Sequence, residues 1–512
     1  MKDKDYFKLL TSKSFEEATR IPSLEERVEQ QWEQNRSNYP LLIVGQADQR
    51  VVRISQEERD SHFHILGTTG EGKSKLIEHL IRGDIKQGNP VFFLDPTDRA
   101  ETAYSILKYC AKIGFEKVVL IDPHLIHSHN RVCTLQPFHY QKTYKNATVS
   151  SIADTVRVLF QTRDAAETPR IQRYISAILH SLWNAEMTLH EAVYFTEYRN
   201  PLYQARRRYI LGQSDELDRH RLALEEVFTT RAMFLNEFQS TVRRLEPFFD
   251  STLDLMFGAD KGIDFIKLIT EGWVVLVNLY SGMGFEPIHT RLLGTTVINE
   301  LIFALDRLRG RGWKGVSYLY IDEAGRYANR NLADLLAYKR KSGLRVTVAH
   351  QYFGQFEDKQ VLDAVKNLTK IKVMFDTPNP SDRMEMIKAL GYGGNIPPVL
   401  ANYANQDLPK QYAIIKKPKQ PPVRVKITDV PEVKMKQKVL DDFIFKLIAN
   451  NEYYRHPDDI RKQFEQRFGA LSPRKGKRAD RPADSHPIWD HQASSAKAPA
   501  KNGRKRASKK GS

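Results

Sequence analysis

Residues 61–76 read SHFHILGTTGEGKSKL, and this stretch decides the fold. The apolar run at 63–66 is typical of a buried strand, and it breaks into a glycine-rich turn that ends at Gly72, Lys73 and Ser74. From Lys75 onward, apolar residues recur at helical spacing. The pattern GxxxxGK(S/T) between a strand and a helix is typical of a phosphate-binding loop. A chance glycine-rich turn is the alternative interpretation.

The residue types of the loop suit a nucleotide. Glycines let backbone N–H groups turn inward around a polyphosphate, and the helix N-terminus adds the positive end of its dipole. Lys73 is expected to reach the β- and γ-phosphates, and the Ser74 hydroxyl is expected to bind Mg²⁺. The predicted binding residues are Gly67, Thr68, Thr69, Gly70, Glu71, Gly72, Lys73, Ser74 and Lys75.

Short apolar runs alternate with helical segments on both sides of the loop. Further core strands are predicted at residues 91–94, 117–121, 273–279, 316–321, 345–349 and 370–375. This alternation favours an α/β fold with a mostly parallel, doubly wound sheet. A hairpin is predicted before the loop, QYAIIKK at 411–417 is predicted as an edge strand, and one helical piece is predicted at 439–468. Asp-Pro pairs at 95–96 and 122–123 end two strands, where such sheets place ligand-facing loops.

The pattern divides the chain into six segments. Strand signals are absent from the sequence between about 147 and 257, and helical periodicity replaces them, which predicts an all-helical insertion into the core. The predicted segments are a helical lead-in arm (1–40), the first part of the core (41–146), the inserted domain (147–258), the second part of the core (259–430), C-terminal helices (431–470) and a disordered basic tail (471–512).

A second informative stretch is VSYLYIDEAGRY, in which a strand delivers Asp322 and Glu323 at its carboxyl end. Asp322 is predicted to hold Mg²⁺, and Glu323 to orient or deprotonate the water that attacks the γ-phosphate. Such an acid pair favours a hydrolase over a kinase or a GTPase switch. The alternative is that the acids cap a helix.

The third stretch is LADLLAYKRKSGLRVTVAHQYFGQF. Its strand is predicted to lie beside the Asp322 strand and to deliver Gln351 near the γ-phosphate, where a glutamine can bind the attacking water. An ordinary polar loop residue is the alternative for Gln351. Arg340 and its basic neighbours end the preceding helix, and a solvated basic face is the alternative for them.

Composition indicates a soluble chain with a polyanionic partner. Over 512 residues the formal net charge is +17, and residues 473–512 hold twelve Lys and Arg against three Asp. Two cysteines and the charged N-terminal segment predict a reducing compartment without a signal peptide or a membrane-spanning helix. A cytoplasmic location is expected, with attachment to the inner face of the membrane through partners as an alternative.

Two other clusters have simpler interpretations. His124, His127, His129, Cys133 and His139 are residue types that bind zinc, but their spacing matches no zinc motif and favours a surface loop. The run at 206–208 contains three arginines that could contact DNA, but a solvated helical face is favoured. The basic tail suits nonspecific phosphate binding, with a solubilising extension as the alternative.

Several segments together resemble a known family. GTTGEGKS, YLYIDEAGRY and LADLLAYKRKSGLRV…HQ, with SDRMEMIKALG and FLNEFQSTVRRLEPFFDSTLDLMFG, resemble the TraD/TraG/TrwB-like coupling proteins of type IV secretion systems, in the HerA–FtsK class. The resemblance covers residues 40–425. It implies a RecA-like P-loop NTPase core, ATP with Mg²⁺ at interfaces of a homohexameric ring, and nonspecific backbone binding of DNA in the centre. Relaxase and secretion-channel components are the implied partners.

The resemblance also assigns roles to single residues. It implies that Glu323 is the catalytic base, Gln351 a sensor of the γ-phosphate and Arg340 an arginine finger acting on the neighbouring subunit. This sequence departs from the family pattern because the usual N-terminal membrane helices are not predicted. Two alternatives stay open: a HerA-like DNA-processing or defence ATPase with a nuclease partner, and a nucleotide-gated adaptor that binds DNA or relaxase without moving DNA.

Overall fold

The computed structural model describes residues 42–47, 50–139, 142–159, 168–249, 251–327, 330–338, 341–356, 358–392 and 396–468. The predicted arm at 1–40 and the predicted tail at 471–512 lie outside these residues. The predicted domain boundaries stay predictions.

The described residues form thirteen strands. In chain order they are β1 Leu42–Ala47, β2 Arg50–Ile54, β3 Phe63–Leu66, β4 Val91–Asp95, β5 Val118–Ile121, β6 Val132–Cys133, β7 Val274–Asn278, β8 Ser317–Ile321, β9 Leu344–His350, β10 Ile371–Met374, β11 Tyr412–Lys416, β12 Val423–Ile427 and β13 Tyr454–Arg455.

The described residues also form nineteen α-helices. They are α1 Gln56–Arg59, α2 Lys73–Lys86, α3 Glu101–Ile113, α4 Leu125–Ser128, α5 Lys145–Leu159, α6 Thr168–Asn184, α7 Pro201–Gly212, α8 Arg219–Val227, α9 Arg231–Met233, α10 Gln239–Leu245, α11 Ser251–Gly258, α12 Phe265–Thr270, α13 Pro287–Gly310, α14 Arg330–Tyr338, α15 Lys359–Leu368, α16 Pro380–Ala389, α17 Pro398–Asn405, α18 Gln437–Ala449 and α19 Pro457–Gln466. Short 3₁₀ turns lie at Asp98–Ala100, Lys142–Tyr144, Leu189–Phe195, Glu246–Phe249, Ala324–Tyr327 and Phe353–Gln355, and a π turn lies at Phe234–Phe238.

Eleven strands form one sheet in the order β2-β1-β12-β11-β10-β3-β9-β8-β4-β7-β5. The seven strands from β10 to β5 pair in parallel, and the other four pair antiparallel. Parallel strands β3, β4, β5, β7 and β8 are buried over their whole length, as their continuous apolar sequences require. This architecture confirms the predicted mostly parallel α/β sheet.

The order of the sheet brings the three informative stretches to one edge. β9 lies between β3 and β8, with Ile65 opposite Ala349 and Ile321 opposite Val348. Because the three strands are parallel, the phosphate loop, the acid pair and Gln351 all follow the carboxyl ends of strands, on the same side of the sheet. The long separation in sequence between β3 and β8 contains the segment from 145 to 258, whose described residues form helices joined by turns and irregular loops.

One predicted element is wrong, and another is interrupted by a short strand. The segment QYAIIKK is not at an edge, because β11 pairs with β10 on one side and with β12 on the other. The helical piece predicted at 439–468 consists of two helices, α18 and α19, and the chain between them forms β13, which pairs with β6. Pro457 then starts α19 at its first turn, where proline fits. Among the described residues, helices long and apolar enough to cross a membrane are absent.

Candidate nucleotide-binding site

The phosphate loop needs glycine at three positions. Gly70 and Gly72 have φ values of 89° and 117°, a left-handed region that other residues rarely adopt. A Cβ at Gly67 would lie 2.5 Å from the Cβ of Phe375, so a side chain there would collide with the residue that follows β10. The loop leads directly into the N-terminus of α2, which begins at Lys73 after Gly72, and a helix N-terminus is the end that attracts phosphate.

Strand β8 ends directly before Asp322 and places this residue opposite the start of α2. Asp322 is 1% exposed, and its Oδ2 accepts a hydrogen bond from Ser74 Oγ at 3.3 Å. The two residues that were predicted to share a magnesium ion are therefore brought together across 248 positions of sequence.

Glu323 lies at the centre of a set of polar contacts. Its Oε1 lies 3.8 Å from Lys73 Nζ and accepts a hydrogen bond from Gln351 Nε2 at 2.7 Å. The residue is 7% exposed and has a φ of 47°, and its N–H donates to Asp322 Oδ1 at 2.9 Å. A non-glycine residue in this region of φ is uncommon and clusters at functional sites.

The sequence interpretation missed Gln355. Its Nε2 donates to the second oxygen of Glu323, Oε2, at 2.7 Å. Its Oε1 accepts the backbone N–H of Gln351 at 2.8 Å. The signal was present in the sequence, because QYFGQ places two glutamines four positions apart after a strand.

The phosphate loop, Asp322, Glu323 and Gln351 line a cavity of about 370 Å³. β4 lies next to β8, and the turn that follows it adds Pro96, Thr97 and Asp98 to the wall. The exposed Arg326 also lines the cavity, as a cation three positions after Glu323 that the sequence interpretation did not assign.

The two Asp-Pro pairs have different surroundings. Asp95 ends β4 beside the cavity, and its carboxylate accepts hydrogen bonds from Thr97 and from the backbone of Ala103. Asp122 instead accepts hydrogen bonds from Tyr104 Oη at 2.6 Å and Asn278 Nδ2 at 2.9 Å, and it does not line this cavity. The loop after Asp95-Pro96 therefore faces this cavity, as expected, whereas the loop after Asp122-Pro123 does not.

The predicted loop residues divide into two groups. Gly67 and Glu71 do not line the cavity, and Gly67 instead allows the close approach to Phe375. The other seven line it: Thr68, Thr69, Gly70, Gly72, Lys73, Ser74 and Lys75. Arg340 lies outside the described residues, so its role stays a prediction.

Burial raises the pKa of two carboxyl groups at this site. Burial raises the pKa of Asp322 to about 6, the positive charge of Lys73 opposes this increase, and the negative charges of Glu323 and Asp95 add to it. Burial also raises the pKa of Asp95, and hydrogen bonds from Thr97 and Ala103 oppose that shift.

The donor set fits magnesium. Mg²⁺ prefers hard oxygen ligands and binds through one or two protein groups together with phosphate oxygens and water. Ser74 Oγ and the Asp322 carboxylate are such groups, and a cation beside Asp322 would relieve the burial of its negative charge.

Two histidines join the phosphate-loop strand to the Gln351 strand. His64 Nε2 and His350 Nε2 lie 2.6 Å apart, and His350 Nδ1 lies 3.1 Å from the carbonyl oxygen of Tyr352. His350 therefore donates through Nδ1 to that carbonyl and accepts from His64. Burial lowers the pKa of both imidazoles, to about 3 for His350, so the pair is neutral at pH 7.

Two other clusters differ from their predicted surroundings. Cys133 is 1% exposed on β6, so the interpretation as a surface loop is wrong for this residue. His139 pairs with Glu300 at 3.0 Å. Arg207 is 5% exposed and donates to the carbonyl oxygens of Tyr194 and Glu197, so the solvated face is wrong for it. The burial of Arg207 could not be predicted, because the sequence does not show which side of the twelve-residue helix α7 packs against its neighbours.

Comparison with known proteins shows a likeness at the level of structure. Protein-family models and curated proteins gave no match to the chain. The structure of plasmid coupling protein TrwB in complex with the non-hydrolysable GTP analogue GDPNP matches with a TM-score of 0.55 and 17% identity, over 79% of this chain and 94% of that chain. The chain has the fold of TrwB.

Other structures of TrwB give the same result. The unbound bacterial conjugative coupling protein TrwBdeltaN70 matches with a TM-score of 0.54 and 16% identity, over 79% of this chain and 92% of that chain. TrwB in complex with ADP and Mg²⁺ matches with a TM-score of 0.53 and 16% identity, over 80% of this chain and 94% of that chain. The likeness confirms the predicted RecA-like core and, for the fold, the resemblance to the coupling proteins.

Proposed function

We propose that this chain is an ATP-hydrolysing motor of the conjugative coupling type, which moves or delivers DNA during transfer between cells. The observation that carries the proposal is the convergence of five predicted residues on one cavity: Lys73, Ser74, Asp322, Glu323 and Gln351. They come from three neighbouring parallel strands, and their side chains contact one another.

The geometry suits hydrolysis of a nucleoside triphosphate. Backbone N–H groups of the loop and Lys73 would bind the phosphates, while Ser74 and Asp322 would hold Mg²⁺. When bound, the ion would neutralise charge on the β- and γ-phosphates. Glu323 lies close to Lys73, so its carboxylate would accept the proton of a water placed against the γ-phosphate. Gln351 would orient that water.

DNA as the partner is supported by charge and by fold. The net charge of +17 favours a polyanion, and the fold is that of TrwB, which is described as a bacterial conjugative coupling protein. We propose nonspecific binding to the phosphate backbone, a homohexameric ring, and relaxase or secretion-channel proteins as further partners. In such a ring Arg340 would complete the site of a neighbouring subunit, since a planar cation stabilises charge on the transferring phosphoryl group.

The proposed ATP hydrolysis is tested by measuring the phosphate released from ATP. Lys73→Ala removes a cation that is 5% exposed in the cavity, and hydrolysis is expected to fall by about 100-fold or more. Lys86→Ala is the matched control, because Lys86 is exposed at the other end of the same helix. Hydrolysis that survives Lys73→Ala would refute this site.

The proposed movement along DNA is tested by measuring displacement of the third strand from a DNA triplex. We expect displacement with ATP, and none with Lys73→Ala or with a non-hydrolysable analogue. DNA binding without displacement would favour the adaptor. Co-purification with a nuclease in place of a relaxase would favour the HerA-like alternative.

A further inference from the structure

The side chain of Gln355 joins two residues of the proposed catalytic set. Its amide nitrogen donates to Glu323 Oε2 at 2.7 Å, and its amide oxygen accepts the backbone N–H of Gln351 at 2.8 Å. Gln351 itself donates to Glu323 Oε1 at 2.7 Å. The three residues therefore form a closed ring of hydrogen bonds in which both oxygens of the carboxylate have an amide donor.

A glycine makes this ring possible. Gln355 ends the turn Phe353–Gln355 after β9, and Gly325 lies in the turn Ala324–Tyr327 after β8. A Cβ at Gly325 would lie 2.5 Å from the Cβ of Gln355 and 2.7 Å from its carbonyl oxygen. The two turns can approach this closely only because residue 325 has no side chain.

The need for such a ring follows from the conformation of Glu323. Its φ of 47° lies in a region that is unfavourable for a residue with a side chain, and it persists only where neighbouring groups fix it. A carboxylate held through one oxygen can still rotate about that contact. Amide donors on both oxygens fix its plane and aim it toward the Lys73 side of the cavity.

We propose that Gln355 is a positioning residue for the hydrolysis described above, and the inference rests on that proposed function. It does not line the cavity, so it acts through its neighbours and makes no contact with the nucleotide. It fixes the second oxygen of Glu323 and the backbone of Gln351, so that the base and the sensor reach the γ-phosphate in one arrangement.

The test is a double-mutant cycle between Gln355→Met and Glu323→Gln, read as single-turnover hydrolysis of radiolabelled ATP, which measures the residual rate of the slow variants. Methionine keeps the volume and flexibility of glutamine but removes the amide. In the wild-type background kcat is expected to fall about 10- to 100-fold, the effect of losing a hydrogen bond to a charged group. KM and the affinity for a fluorescent ADP analogue should stay within about 3-fold, because the phosphate loop is intact. In the Glu323→Gln background the same substitution should cause no further loss.

Controls separate positioning from a structural role. Gln213→Met changes an exposed glutamine on the helical segment and should leave kcat unchanged. If Gln355→Met does not fold, Gln355→Asn keeps the amide but is too short to reach both partners, and it enters the same cycle.

Three results would overturn the proposal. Full kcat in Gln355→Met would overturn it, and so would equal losses in both backgrounds, which would indicate general damage. In both cases hydrolysis that depends on Lys73 would leave the proposed function standing. Wild-type protein without Lys73-dependent hydrolysis would overturn the proposed function together with this inference.

Discussion

Asp322, whose pKa is raised by burial, lowers the stability of the folded protein at neutral pH. Burial raises the pKa of Asp322 from 3.8 to about 6, so between these values the folded chain keeps a proton that the unfolded chain has released. The free energy of unfolding therefore decreases as the pH rises from about 4 to about 6, and the loss of about 3 kcal/mol persists at higher pH.

Asp322→Asn should remove this loss. Without nucleotide and with a chelator present, we expect the variant to exceed the wild type in unfolding free energy by roughly 1–3 kcal/mol at pH 8. The difference should disappear near pH 4, where Asp322 is protonated. Urea unfolding at the two pH values measures it. Asp98→Asn, which changes an exposed carboxylate of the same cavity, is the control. A variant that is less stable than the wild type at both pH values would contradict the burial argument.

The sequence predicts the residues whose position follows from short motifs. Lys73 and Ser74 lie where the glycine pattern puts them, because the loop and the helix start are local structures. Gln355 could not be predicted in the same way, because its role depends on the contact of two turns that are 30 positions apart between Gly325 and Gln355. Tertiary packing of this kind leaves only a weak trace in the sequence.

At the scale of elements, a buried ion pair connects the helix of the phosphate loop to the acid strand. Arg59 at the end of α1 makes two hydrogen bonds to Asp84 on α2, at 2.6 and 2.8 Å. Tyr320 on β8 donates to the same carboxylate at 2.5 Å, and both charged residues are at most 3% exposed. This contact holds α2, which carries Lys73, against the strand that leads to Asp322.

Arg59→Met should be strongly destabilising, because it leaves the carboxylate of Asp84 buried without its cation. A loss of about 3–5 kcal/mol in unfolding free energy is expected from urea denaturation. Arg173→Met breaks an ion pair with Glu226 in which both side chains are more than half exposed, and it should cost no more than about 1 kcal/mol. Equal losses in the two variants would show that burial of the first pair is unimportant.

The missed strand β12 had a readable pattern. Val425 and Ile427 are buried while Arg424 and Lys426 are exposed, the alternation of a strand with one face in solvent. Its five residues lie among prolines, which are disfavoured inside a sheet, so the sequence pattern for a strand is weak. Without β12, β11 had no second neighbour and was predicted at the edge. The core strands were predicted more easily, because continuous apolar runs between helices have few other interpretations.

At the scale of the whole molecule, the basic tail predicts a salt-dependent affinity for DNA. Residues 473–512 lie outside the described structure, and they hold twelve Lys and Arg. For every phosphate that the tail neutralises, its removal should make the slope of log affinity against log salt concentration shallower by about one unit. A chain that ends at residue 472 should therefore bind DNA more weakly at low salt, with a smaller slope, and its basal ATP hydrolysis should be unchanged. An unchanged slope would assign the tail to solubility.

The last prediction concerns sites shared between subunits. If Arg340 acts on a neighbour, then Arg340→Ala subunits have an intact Glu323 and lack the finger, while Glu323→Gln subunits have the finger and lack the base. Each variant alone is expected to hydrolyse ATP only at a residual rate. Mixing the two should raise the rate, because some interfaces then combine a normal Glu323 with a normal Arg340. For random mixing at equal amounts, about a quarter of the interfaces would be complete, which sets the expected activity if sites work independently.

Two further mixtures are the controls. A mixture of Arg340→Ala with Lys73→Ala should be rescued in the same way, whereas Lys73→Ala with Glu323→Gln should not, because both changes fall in the same half of the site. Failure of both Arg340 mixtures, with exchange of subunits verified by a fluorescent label, would remove Arg340 from the mechanism.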